Sequence, residues 1–151
     1  SLPWARQENQ ENWLRRRIDK DALEWMPQWD HEFQSLLPTI SNAVGCKLGP
    51  YIGTAFWIDE PDFICTVHTD GSMPGSFHLT WVGDPDQGTV FYTNKDAKEE
   101  RYRVPMQPNC GYAMINLPDE QGYQELHWHG MLSPVKFGKY RLTSYTWLLP
   151  E

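Results

Sequence analysis

A chain of 151 residues is of ordinary size for one domain and long enough to bury a substantial core, and 40% hydrophobic with 22% charged residues is a globular rather than a disordered composition. A formal net charge of −7 argues against a general binder of nucleic-acid backbones, which presents a basic face. Cys46, Cys65 and Cys110, odd in number and without C-x-x-C spacing, read as reduced thiols and point to the cytoplasm; no apolar run approaches the length of a membrane span, and no charged-then-apolar leader opens the chain.

From residue 4 to about 37, Trp13, Leu14, Ile18, Ala22, Leu23 and Met26 recur at three- and four-residue spacings, which predicts two helices meeting near 19–21 or broken at Pro27. The run Arg15-Arg16-Arg17 then reads as a solvated helix face without function. After Pro38 the text changes to short runs of β-branched and aromatic residues, predicting strands at 51–58, 63–68, 77–82, 89–93, 100–104, 112–117, 125–130 and 139–149. Turn residues separate them, as in Asp59-Glu60-Pro61-Asp62, Gly83-Asp84-Pro85-Asp86 and Pro108-Asn109-Cys110-Gly111. Short strands at this spacing predict a sandwich or barrel. The expected organisation is one domain over 1–151, mainly β with N-terminal helices: helical support from 1–37 and a β core over 45–149.

Side chains alternate faces along an extended chain, so His68 and Asp70 should converge at the end of one strand. An imidazole and a carboxylate on one face are two members of a 2-His-1-carboxylate triad, which leaves positions open on Fe(II). The third ligand has two candidates, His127 and His129, flanking Trp128. In a regular strand they share a face about 6.6 Å apart, so only one can complete a compact triad; His129 is preferred, leaving His127 as a neighbour of the pocket. Downstream, Arg141 and Thr143 again share a strand face, and a guanidinium fork with a hydroxyl suits a carboxylate. Trp57, Trp81, Phe91, Tyr112 and Trp128 are aromatics that either line a pocket or fill the core.

The ordered set of His68-x-Asp70, a distal His129 and Arg141-x-Thr143, the last preceded by Pro134-Val135 and Gly138, resembles the Fe(II)/2-oxoglutarate-dependent dioxygenase superfamily over about residues 51–147. His78-Leu79-Thr80-Trp81-Val82 followed by Gln87-Gly88-Thr89-Val90-Phe91 is similar to that family's strand pair. The stretch from Arg103-Val104-Pro105 to Gly111-Tyr112 resembles a longer copy of its V-x-P-x-x-G turn. Gln87-Gly88 stands where paired glycines are frequent, and the twelve-residue step from His129 to Arg141 is slightly long.

The resemblance implies a double-stranded β-helix, or cupin-like jelly roll, with His68, Asp70 and His129 on iron and Arg141, assisted by Thr143, on the 2-oxoglutarate carboxylate. It implies oxidative decarboxylation of 2-oxoglutarate coupled to hydroxylation of a small molecule or a peptide side chain, held by loops around 59–62 and 71–76. Two other readings share the barrel: a cupin-like ligand-binding module, and a metal enzyme that does not use 2-oxoglutarate.

Overall fold

The computed structural model describes residues 4–5, 14–19, 23–70, 74–116 and 127–151. Among these residues, ten strands and one helix follow in the order β1 (Trp4–Ala5), β2 (Arg15–Ile18), α1 (Met26–Val44), β3 (Thr54–Asp59), β4 (Cys65–His68), β5 (Gly75–Val82), β6 (Gly88–Tyr92), β7 (Glu100–Pro105), β8 (Gly111–Ile115), β9 (Trp128–Met131) and β10 (Arg141–Trp147). They build a six-stranded sheet, β1-β2-β3-β10-β5-β8, and a four-stranded sheet, β4-β9-β6-β7, antiparallel throughout. Over the described residues the protein is thus mainly β with one helix.

Each strand predicted after Pro38 has a counterpart. Residues 117 and 125–126 of those predictions, 6–13 and 20–22 of the predicted helices and 71–73 of the expected substrate loop lie outside the described residues.

The N-terminal helical support over 1–37 is corrected in two ways. Residues 4–5 and 15–18 are strands: β2 pairs with β3, setting Arg15 opposite Asp59 and Ile18 opposite Phe56. The spacing of four between Leu14 and Ile18 fits a helical turn, but it is also an even number, which a strand accommodates equally. The basic run is not a solvated helix face either, since Arg15 and Arg16 pair with Asp59 and Glu60 at the end of β3. The second correction concerns α1, which runs through Pro38 to Val44. Pro38 is exposed, so the carbonyl of Gln34 that it leaves without a helical donor faces water. Leu37 beside it is buried with Phe33 and Leu148. Gly45 ends the helix with φ 68°, a left-handed cap that a residue without Cβ adopts at no steric cost.

Alternation assigns the two faces of the larger sheet. Phe56 and Ile58 of β3, Leu142, Ser144 and Thr146 of β10, and Phe77 of β5 share the parity that meets α1. There Trp29, Phe33 and Leu37 of the helix pack with Phe56, Phe77 and Leu148. Full burial of Phe33 alone stabilises by about 1.5–3 kcal/mol. Polar atoms on this face are satisfied: Trp29 Nε1 donates to Thr54 Oγ1 at 2.9 Å, and Trp81 Nε1 to Ser144 Oγ at 2.9 Å. The opposite parity faces the smaller sheet: Arg15, Trp57, Asp59, Arg141, Thr143, Tyr145, Thr80, His78 and Tyr112. The functional candidates therefore lie between the sheets, away from the helix. Among the described residues no helix is long and apolar enough to cross a membrane.

Candidate metal centre

Ladder register brings the candidate ligands together. His68 ends β4 directly opposite His129 of β9, and their rings lie 4.4 Å apart. Asp70 follows two residues on, its backbone carbonyl accepting from Asn116 Nδ2 at 3.2 Å. His68 Nε2 is 3.6 Å from Asp70 Oδ1, and His129 Nε2 is 3.8 Å from Asp70 Oδ2. One donor atom from each of the three lies within 4.8 Å of the other two.

His127 stands outside this group. It precedes β9, which begins at Trp128, so strand alternation does not govern it, and its Nε2 lies 3.3 Å from the Ile115 carbonyl. The two histidines are nevertheless linked: His129 Nδ1 donates to the His127 carbonyl at 2.8 Å, which places the proton on Nδ1 and leaves the Nε2 lone pair toward Asp70. His68 is oriented likewise, with Nδ1 donating to the Thr66 carbonyl at 2.7 Å.

Electrostatics separate the three. Burial pushes His129 down to about 4, so it is neutral at physiological pH. The Cys65 thiol, 3.8 Å from Nδ1, draws half-exposed His68 up to about 9 against the opposing effect of burial. Burial by itself would raise Asp70, but His78, His129 and His68 outweigh it and hold the carboxyl below its usual range.

Asp70 Oδ2 is buried and has no hydrogen-bond partner among the described residues. His78 Nε2 at 3.7 Å and His129 Nε2 at 3.8 Å are both beyond hydrogen-bond range. A buried, ionised oxygen without a donor, facing two imidazole nitrogens, is suited to a cation. Two nitrogens and one carboxylate oxygen on one side of an ion fit a divalent first-row metal such as Fe(II).

The same cavity, about 90 Å³ in volume, is lined by His68 and His129 and also by Arg141 and Thr143. Arg141 is buried against Asp59, with Nε 2.5 Å from Oδ2 and Nη2 on the same oxygen. Arg15 reaches that carboxylate from β2, with Nε 2.6 Å from Oδ1 and Nη2 3.1 Å from Oδ2. Asp59, expected at the start of a substrate loop, is instead the last residue of β3 and fully buried.

Sequence reasoning missed Arg15, Asp59, Cys65 and His78. His78 stacks on Tyr112 at 4.5 Å and meets the Tyr145 ring edge-on at 4.5 Å. Its signal was available, because it sits at inward parity in a predicted strand. Of the five aromatics considered, Trp57 and Tyr112 line the cavity, Phe91 packs on the His129 ring, and Trp81 belongs to the helix-facing cluster.

No protein-family model and no curated protein sequence matches the chain significantly. A solved structure does: a prolyl-4-hydroxylase from Pseudomonas putida superposes with a TM-score of 0.57 at 17% identity, over 88% of this chain and 67% of that one. At that identity the likeness is one of fold.

Proposed function

We propose that this protein is a non-haem iron oxygenase on a double-stranded β-helix, or jelly roll, coupling oxidative decarboxylation of 2-oxoglutarate to hydroxylation of a small molecule or a peptide side chain. One observation carries the reading: the donor atoms of His68, Asp70 and His129 converge within 4.8 Å, in a cavity also lined by Arg141 and Thr143. The shared fold with a bacterial prolyl-4-hydroxylase supports it.

His68, Asp70 and His129 would hold Fe(II), which supplies open coordination positions and the redox chemistry that activates oxygen. The remaining work belongs to the chain. His127, through its carbonyl, fixes the tautomer of His129, and burial keeps that ring uncharged. Asn116 tethers the backbone at Asp70, and the carboxylate stays ionised because three imidazoles surround it. His78, stacked on Tyr112 and met edge-on by Tyr145, closes one wall with aromatic rings and would limit bulk water. Arg141, two strand positions from Thr143, offers a fixed guanidinium to the distal carboxylate of 2-oxoglutarate.

The test is an anaerobic titration of the metal-free protein with Fe(II) and then 2-oxoglutarate, read as the visible charge-transfer band of the chelated cosubstrate. A band that disappears in His68→Ala is the expected result. Iron binding without a band would leave a metal enzyme that does not use 2-oxoglutarate, and absent iron binding would leave a ligand-binding module. One feature favours the first of these alternatives: Arg141 already directs Nε and Nη2 to Asp59, so part of its fork is occupied.

A further inference from the structure

Charge bookkeeping around Asp59 bears on that difficulty. Two guanidiniums, Arg15 and Arg141, converge on one fully buried carboxylate. A guanidinium is a permanent cation in proteins, so two of them against one carboxylate leave one net positive charge. Among the described residues lining the cavity, these two arginines are the permanent charges, and both are positive. Burying an uncompensated cation is costly, and a wall that retains one is complementary to an anion.

Resting on the oxygenase reading above, we propose that Arg15 is a positioning residue for the cosubstrate: with Arg141 and Asp59 it forms a singly cationic seat for the distal carboxylate of 2-oxoglutarate.

Three features of the geometry support this. Asp59 occupies Nε and Nη2 of each arginine, whereas each guanidinium carries five N–H donors, so donors remain on both for a second anion. Both guanidiniums are held against the ring of Phe63, with Cζ 4.5 Å from its centroid for Arg15 and 5.2 Å for Arg141, which restricts where they can swing. The seat also lies at a suitable level: Arg141 Nη1 rests on Met131 Sδ, and Met131 is two residues beyond His129 in β9, or roughly 6.6 Å along the strand. A short diacid held at its other end beside His129 would extend that far. In this arrangement Asp59 sets the charge of the seat. Arg141 paired with Asp59 alone would be neutral; Arg15 makes the set cationic.

The experiment compares wild type, Arg15→Gln, Arg15→Lys and the double variant Asp59→Asn/Arg15→Gln, each loaded with Fe(II) under anaerobic conditions. Dissociation constants are measured for Fe(II), for 2-oxoglutarate and for 2-oxobutanoate, which keeps the chelating end and lacks the distal carboxylate. Arg15→Gln should weaken 2-oxoglutarate about ten-fold or more, the scale of one charge-assisted contact, and leave Fe(II) and 2-oxobutanoate within about two-fold. Arg15→Lys, which keeps the charge, should fall between Arg15→Gln and wild type. The double variant restores one net positive charge and should recover most of the lost affinity, which a merely structural role for Arg15 would not permit.

Equal weakening of both 2-oxo acids, or no recovery in a double variant whose near-ultraviolet dichroism is native-like, would overturn the proposal. If wild type binds 2-oxoglutarate and Arg15→Gln binds it as well, Arg15 alone is removed and the oxygenase reading stands. If wild type binds Fe(II) but no 2-oxoglutarate, the oxygenase reading fails and this proposal fails with it.

Discussion

Replacing Asp59 with Asn removes a charge while keeping the side-chain shape, so its cost reports the ion pairs rather than a cavity. The Asp59 side chain is 0% exposed, Arg141 4% and Arg15 23%, and the substitution leaves two guanidiniums with no carboxylate between them. Breaking a buried pair from one side costs about 3–5 kcal/mol. Two features place this case near the lower end: Asn retains one acceptor oxygen, and partly exposed Arg15 can turn its charge toward water. For a chain of this length about 3 kcal/mol corresponds to a fall of roughly 6–12 °C in Tm. Urea denaturation of the metal-free protein, followed by tryptophan fluorescence, measures it directly. A companion variant with Asp59→Leu, Arg15→Met and Arg141→Met removes all three charges together and should lie close to wild type or above it, because the desolvation of the ions disappears with them. A loss below about 1 kcal/mol in Asp59→Asn would refute the claim that this carboxylate compensates both arginines.

Two further outcomes concern the metal centre. His129→Ala should lower Fe(II) affinity at least a hundred-fold and His127→Ala less than ten-fold, measured by competition with a chelator, since His127 contributes its carbonyl rather than its ring. Metal affinity should also rise with pH. His68 must lose the proton on Nε2 to bind, and the Cys65 thiol draws its pKa up to about 9, so between 6.5 and 9 the apparent affinity should climb toward ten-fold per pH unit. His129, already neutral above about 4, adds no second proton to that slope. Co(II) titrations across this range should give a slope near one, and Cys65→Ser should move the plateau toward 6.5; a flat profile above 6.5 would contradict the assignment.

The β core was legible because its signals are local. Alternating apolar residues between Gly, Pro and Asp turns mark each strand without reference to its partners, and β3 through β10 fall where that pattern predicts. The N-terminus was misread because its decisive contacts are remote. Arg15 and Asp59 are 44 residues apart, and nothing within 15–18 distinguishes a helix turn from a strand whose charges are matched on the next strand. The helix boundary failed for a related reason. Pro38 is a breaker by its own chemistry, but its place on the exposed side of α1 turns the missing hydrogen bond toward solvent, and the sequence around it does not say which side will be exposed.

The candidate site divides along the same line. His68 and Asp70 follow from parity within one segment, and Arg141 and Thr143 from parity within another. The choice between His127 and His129 depended on where β9 begins, and the flanking residues leave that start open by one or two positions. Asp59 is the instructive omission, because it shares parity with Trp57 and its strand was predicted. A carboxylate at an inward position of a buried strand cannot remain unpaired. That argument alone demands a cation on the same face. It would have drawn attention to Arg141 as a partner before any ligand was considered, and then to a second cation, because an arginine neutralised by Asp59 presents no net charge to an incoming anion. Arg15 meets that demand only because residues 15–18 form a strand beside β3. The strand that pattern reading took for a helix is therefore the one that brings a second arginine to the cavity wall.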